Sequence, residues 1–260
     1  MTSQQPGNRL AGRTALVTGS TRGLGRTIAE WLAREGADVI VTGRDEPDVQ
    51  ASVEAIRGLG VDSFGAAADL SKLSQIHGLA SAIFERIDRL DILVNNAGMS
   101  IIEDCWDVSD EHWDYQMNVN LRAPYILSQY AIQHMIAQQT PGRIVNISTI
   151  GAHRTHGDRA VYNIGKAGVE MMTSAMAFEV ASHGITINCV APGAMADRPG
   201  QELTPEERER IARGIPVGRV GTGDDIASAV TYFCLPESSF ITGETLLVTG
   251  GHESKLWEPS

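Results

Sequence analysis

Tyr162 and Lys166 stand four residues apart in the run Tyr162-Asn163-Ile164-Gly165-Lys166. On a helix that spacing puts both side chains on one face. An ammonium beside a phenol favours the phenolate and draws the tyrosine pKa down from its ordinary value of about 10. Proton transfer is most effective when that value approaches the working pH. The pair can therefore give and take a proton. An amphipathic tyrosine next to a solvated lysine fits the same short pattern, so its weight depends on its surroundings.

A second group of residues can hold a phosphate. Gly19-Ser20-Thr21-Arg22-Gly23-Leu24-Gly25 follows a short apolar run at 14–18 and opens a helical pattern at 23–35. Glycines permit a tight turn and close approach of the backbone to a pyrophosphate. The helix start adds free N–H groups and partial positive charge. The spacing is a variant of the usual G-x-G-x-x-G, and a plain glycine-rich turn also fits it. The next apolar run, 38–42, ends at Thr42-Gly43-Arg44, with no carboxylate at its tip before Asp45. Enzymes selective for NAD often place an acid there to bind ribose hydroxyls. Arg44 and Arg22 instead suit a 2′-phosphate, since guanidinium groups form paired, charge-assisted hydrogen bonds. They favour NADP(H) over NAD(H), against the alternative of two solvated surface arginines. Asp69 and Leu70, after a third run, can flank an adenine, or Asp69 can cap the next helix.

The elements that must carry these residues alternate. Apolar runs at 14–18, 38–42, 61–67, from 92, 143–147, 186–190 and 245–248 read as strands. Helical patterns occupy 23–35, 48–59, 73–87, 109–137, 160–182, 204–214 and 224–235, with Ser109 and Thr204 as N-caps. The strand runs are continuously apolar, which implies burial on both faces and a mostly parallel sheet. Right-handed crossovers then give an α/β fold: a single-domain, doubly wound Rossmann fold with about seven strands. The domain is expected over 10–251, with tails at 1–9 and 252–260.

Composition narrows the function. The chain has 260 residues, 42% hydrophobic and 20% charged, with a net charge of −11. That is enough chain for one sizeable core. The acidic balance argues against a nucleic-acid or anionic-membrane surface. No run is long enough to span a bilayer, and the start of the chain lacks the apolar core of a signal peptide. A cytoplasmic protein is expected. Cys105, Cys189 and Cys234 are widely spaced, and neither they nor His153 and His156 suggest a metal site.

Taken in order, the motifs resemble the short-chain dehydrogenase/reductase family over roughly 10–251. Thr18-Gly19 through Gly25 is similar to its cofactor turn. Asn95-Asn96-Ala97-Gly98 is similar to its fourth-strand motif, and Tyr162 with Lys166 to its catalytic pair. Pro192-Gly193 and Ile241-Thr242-Gly243, with Gly250-Gly251, complete the match. The resemblance implies that Tyr162 is the acid/base and that Lys166 binds the nicotinamide ribose. It implies that Asn120 holds a water in a proton relay, with Asn118 ranked second. It places Asn96 near the adenosine ribose and the Met195 backbone near the nicotinamide amide. It also implies a homotetramer or dimer.

Two positions depart from the family pattern. A serine is usual 13 residues before the tyrosine, and that register falls on Thr149. Ser148 is adjacent, but neighbouring strand residues face opposite ways. Thr149 is therefore the expected substrate-orienting hydroxyl. Asp197 stands where relatives often carry threonine. The loop before Tyr162, at 151–159, which lines the substrate pocket in the family, carries His153, Arg154, His156 and Arg159. They suggest a polar or carboxylated substrate, or simply a hydrated loop. Met99, Ile101, Ile102 and Trp106 are an expected apolar wall. The leading expectation is an NADP(H)-dependent oxidoreductase interconverting a ketone and a secondary alcohol on a small polar molecule such as a sugar, polyol or sugar acid. A 3-oxoacyl-carrier-protein reductase and a dinucleotide-binding regulatory protein with little turnover are the alternatives.

Overall fold

A computed structural model describes residues 8–155, 157–196 and 203–252. Seven parallel strands form one sheet in the order β3-β2-β1-β4-β5-β6-β7. They are β1 (Thr14–Val17), β2 (Asp38–Gly43), β3 (Ser63–Ala67), β4 (Ile92–Asn95), β5 (Arg143–Ile147), β6 (Thr186–Pro192) and β7 (Thr245–Val248). The helices between them are α1 (Gly23–Arg34), α2 (Glu46–Arg57), α3 (Leu73–Phe84), α4 (Asp110–Met117), α5 (Ala123–Ala137), α6 (Ala160–Val180), α7 (Pro205–Ala212) and α8 (Gly223–Cys234). This is the doubly wound α/β domain that the alternating runs imply.

Why the strands are apolar throughout is visible in where alternate residues go. Ala15 and Val17 join Val39, Val41, Ile92, Val94 and Val145 in a core shared with Ile28 and Leu32 of α1 and Ile226 and Val230 of α8. Leu16, Ile40, Leu93 and Ile144 face the other way, onto Ile76 of α3 and Leu127 of α5. The central strands thus bury both faces, and a polar alternation there would have no solvent to meet, whereas the outer strands β3 and β7 are only partly buried.

The strand order reverses at β1. Val17 pairs with Val41 of β2 on one side and Val94 of β4 on the other. The C-terminal ends of β1 and β4 therefore open side by side, where connections diverge to opposite faces and leave a crevice.

One helix differs from its expected form. The long element at 109–137 does start at a Ser109 cap, whose hydroxyl accepts from the His112 N–H at 3.1 Å. It is not continuous α-helix, because a π-turn, Asn118–Arg122, separates α4 from α5. Pro124 supplies the reason. It has no N–H for the carbonyl of Asn120, and its ring crowds that carbonyl. A wider turn relieves the clash, and the Ala123 N–H reaches back to the Asn118 carbonyl. The Thr204 capping box with Glu207 forms at α7 as expected.

A buried polar chain fixes the site-bearing elements to one another. The Asn95 amide on β4 donates to Asn146 Oδ1 on β5 at 2.8 Å and to Ser128 Oγ on α5 at 2.9 Å. Asn146 in turn donates to Thr173 Oγ1 on α6 at 2.8 Å. Burial raises the thiols of Cys189 and Cys234 to about 12, so both behave as small core residues. Among the described residues, no helix is long and apolar enough to cross a membrane.

Candidate active site

The glycine-rich turn is braced from below. Thr18 Oγ1 accepts from the N–H groups of Asn96 and Ala97, both at 3.0 Å. The Asn96 amide returns a bond to the Thr18 carbonyl at 2.9 Å. Ser20 is buried: its hydroxyl donates to the Val17 carbonyl at 2.7 Å and accepts from the Thr42 N–H at 3.1 Å. Its side chain ties β1 to β2 rather than facing the crevice. Gly19 takes φ +63°, and a side chain there would press on Ala97. No side chain caps the start of α1 among the described residues, and its first turn holds no acid. Its N–H groups are left to an anion.

A cavity of about 460 Å³ runs from this turn over the ends of β2 and β3. Gly19, Thr21, Arg22, Leu24 and Arg44 line it, with Asp69 and Leu70 at its far wall. Gly23 and Ser20 do not line it. Arg44 approaches the Tyr115 hydroxyl at 3.4 Å, and Asp45 and Asp48 share the rim. The Asp69 carboxylate accepts from the Ser71 hydroxyl at 2.7 Å and the Ser71 N–H at 3.0 Å, a turn before α3. A second cavity of about 420 Å³ abuts the first, and Leu24, Asn96, Gly98 and Met99 belong to both. Its walls include Thr149, Tyr162, Lys166 and Met195. The two together form one continuous cleft, with Arg22 and Arg44 in the walls at one end and Tyr162 at the other.

Lys166 is 3% exposed, and its Nζ donates to the Ile147 carbonyl at 2.7 Å. Burial pushes its pKa down to about 8 from 10.5, with the Cys189 thiol acting slightly the other way. The Nζ lies 6.0 Å from the centre of the Tyr162 ring. Helix α6 thus places both groups on the cleft side, as the four-residue spacing requires.

Asn120 is fully buried in the π-turn. Its amide pairs both ways with one residue: it donates to the Met99 carbonyl at 2.8 Å and accepts from the Met99 N–H at 3.0 Å. A Cβ built on Gly98 would sit 3.2 Å from Asn120 Oδ1 and 3.3 Å from Lys166 Nζ. Asn120 and Lys166 therefore converge on Gly98, and the absence of a side chain there keeps them together. Asn118 is committed elsewhere, to the Ser71 carbonyl and to Arg122.

At the end of β5 the two neighbouring hydroxyls take different partners, although both residues line the cavity. Ser148 donates to Glu170 Oε1 on α6 at 2.6 Å. Thr149 Oγ1 accepts from the Gly151 N–H at 3.2 Å, and its own hydrogen is still free to be donated.

The expected substrate loop is corrected in part. His153 does not enter the cleft lining; its ring lies 3.0 Å from Glu170, an acid one helical turn beyond Lys166. Arg154 is not in the lining either. His156 and Asp197 lie outside the described residues. Of the expected apolar wall, Met99 and Ile102 line the cavity, whereas Ile101 does not and Trp106 is 77% exposed. Ser100, Arg159 and His252 line it; Arg159 belongs to the basic loop singled out from sequence, whereas Ser100 and His252 do not. For Arg159 the signal was present, since it precedes Tyr162 by three residues.

Known proteins resemble this chain over nearly its whole length. A family model described as enoyl-(acyl carrier protein) reductase matches residues 19–253. The 3-oxoacyl-[acyl-carrier-protein] reductase FabG of Vibrio cholerae is 38% identical over 242 residues, covering 93% of this chain and 98% of that one. A solved structure from Agrobacterium tumefaciens that carries the name gluconate dehydrogenase superposes with a TM-score of 0.90 at 33% identity, covering 96% of this chain and 99% of that one. Another from Beutenbergia cavernae, named an NAD(P)-dependent gluconate 5-dehydrogenase and holding NADP at low occupancy, gives 0.87 at 32% identity, covering 95% and 99%. The chain belongs to the short-chain dehydrogenase/reductase family, and it is an NAD(P)-dependent oxidoreductase of that family.

The residues fit a dinucleotide. Gly25 packs so closely that an added Cβ would overlap the Gly19 carbonyl and the Asn96 amide. Gly25→Ala must therefore distort the glycine-rich turn. NADPH affinity, measured by nicotinamide fluorescence with the fold followed by circular dichroism, is expected to fall at least tenfold; unchanged affinity in a folded variant contradicts the assignment.

Proposed function

We propose that this chain is an NADP(H)-dependent reductase, or dehydrogenase in reverse, for a small polar carbonyl compound such as a sugar, polyol or sugar acid. The observation that carries this reading is the single cleft that joins Arg22 and Arg44 at one end to Thr149 and Tyr162 at the other. When bound, reduced nicotinamide supplies the hydride to the carbonyl carbon. The substrate oxygen lies between Thr149, which donates a hydrogen bond, and Tyr162, which gives its proton to the forming alkoxide. Lys166 stabilises the phenolate left behind and holds the ribose. Asn120 positions Met99 and Gly98 around Lys166. Its main-chain carbonyl, denied a helical donor by Pro124, holds a water that returns the proton. The Met195 backbone, held by a bridge to Gly221, meets the nicotinamide amide. Asn96 borders the adenosine ribose, and Leu70 with Asp69 the adenine.

The 38% identity to a carrier-protein reductase supports a second reading, reduction of a 3-oxoacyl thioester. The net charge of −11 weighs against it, because an acidic carrier docks on a basic patch. A binding protein with little turnover is the third, and the convergence of Tyr162, Lys166 and Asn120 speaks against it.

A homo-oligomer belongs to the same proposal. On α6, Ile164, Met171 and Phe178 recur every seven residues on the solvent side, the last 89% exposed. Phe240 and Leu246 expose a second apolar patch beside β7, the outer strand of the sheet. A tetramer, or a dimer on one face, covers them.

Tyr162→Phe is expected to lower kcat by roughly 10²–10⁴-fold while NADPH affinity stays within about threefold; wild-type turnover sinks the acid/base role. Arg44→Asp is expected to lower the NADP/NAD ratio of kcat/KM at least tenfold, and a ratio that does not move contradicts the 2′-phosphate site.

A further inference from the structure

We infer that Arg159 anchors a carboxylate of the substrate, so that the reacting carbonyl belongs to a short oxo acid and the alcohol to the matching hydroxy acid. The inference deepens the proposed reading and rests on it.

Arg159 is the N-cap residue of α6 and lines the same cavity as Tyr162 and Thr149. Residues three apart on a helix are neighbours, with Cβ atoms about 5–6 Å apart. The Asn163 N–H bonds back to the Arg159 carbonyl at 3.0 Å, so Arg159 closes the first turn of α6, the turn that carries the proposed proton donor. The ion pair of the Arg159 guanidinium with Asp158 is a loose 3.7 Å approach, beyond hydrogen-bond range, and the Asp158 side chain is half exposed. No Asp or Glu contributes to the described lining of this cavity, although the chain carries eleven more acids than bases. The cavity is therefore locally cationic in an acidic protein.

A second observation points to a ligand. Ser100 Oγ is buried and has no hydrogen-bond partner, yet Ser100 lines this cavity. A buried hydroxyl without a partner is unfavourable, so a side-chain rotation that turns it into the cavity gains a polar group of whatever binds there. A carboxylate or a neighbouring hydroxyl of the substrate meets that need. The planar guanidinium takes a carboxylate through two parallel N–H···O bonds, which fixes orientation as well as charge. Arg159 makes and breaks no covalent bond; it sets which end of the substrate faces away from the hydride. Its closeness to Tyr162 confines the carboxylate to within a few carbons of the carbonyl. A long acyl thioester presents a neutral group at that point and gains nothing from it.

The test compares acetoacetate with methyl acetoacetate as substrates in wild type, Arg159→Gln and Arg159→Lys. Alongside it, 3-hydroxybutyrate is titrated into the enzyme–NADPH complex as a non-reacting ligand, read by nicotinamide fluorescence. Wild type is expected to favour the free acid. In Arg159→Gln the acid/ester ratio of kcat/KM should fall at least tenfold, chiefly through the KM for the acid. The affinity for 3-hydroxybutyrate should fall in parallel, and Arg159→Lys should recover part of both. A ratio that stays within twofold overturns the anchor, and turnover of both compounds then leaves the Tyr162 reading standing. Arg159-dependent binding without turnover of either compound supports the anchor and defeats the reductase reading. Loss on neither arm overturns the anchor, and so does a preference for dihydroxyacetone phosphate over acetoacetate, which would assign the site to a phosphate.

Discussion

The site depends on a buried cation. Lys166 is driven 97% out of solvent by its place on α6, and the compensation is a 2.7 Å bond to a main-chain carbonyl at the end of β5. Burying an ammonium is unfavourable, and the fall of its pKa to about 8 records that. The surrounding structure exists to make the position tolerable. Asn146 and Thr173 lock β5 to α6, so the carbonyl and the helix cannot drift apart. Gly98 keeps the space beside Nζ open. Asn120 clamps Met99 and so fixes where Gly98 runs. A destabilised lysine is held one turn from a tyrosine that lines an open cleft. Such an arrangement makes chemical sense where the cation is needed to stabilise a neighbouring anion.

The same logic explains the pair of hydroxyls on β5. Sequence register selected Thr149 over Ser148 because adjacent strand residues face opposite sides. In the structure Ser148 is spent on Glu170, while Thr149 keeps its hydrogen at the cavity wall. Glu170 also collects His153, which draws the loop before α6 against the helix and away from the cleft. That loop was legible as a cluster of basic residues, but not which of them would face inward. Loop direction depends on tertiary partners that lie far along the chain, and no periodicity encodes it.

Much of the frame was legible because it is periodic or local. Strand runs buried on both faces, the Ser109 and Thr204 caps, and the Tyr162–Lys166 spacing follow from short-range geometry. The break at Asn118–Arg122 was not foreseen, although its cause, Pro124, stands in plain view. A proline in the first turn of a helix and a proline inside a longer one look alike until the helix before it is seen to continue. Ser100 was missed for a different reason. A lone serine carries no signal in sequence, and its interest arises only from being buried without a partner.

Charge distribution links fold to specificity. The protein is strongly acidic, yet the cleft holds Arg22 and Arg44 at one end, among Asp45, Asp48 and Asp69, and Arg159 with Lys166 at the other, where the described lining has no acid. The most direct test of the central claim is an ultraviolet difference titration of the Tyr162 phenolate with NADP⁺ bound, using Tyr162→Phe as the blank and Lys166→Met as the comparison. The account predicts that the phenolate forms at distinctly lower pH in wild type than in Lys166→Met. Coincident titration curves would show that the buried ammonium does not act on the phenol, and the account would fail.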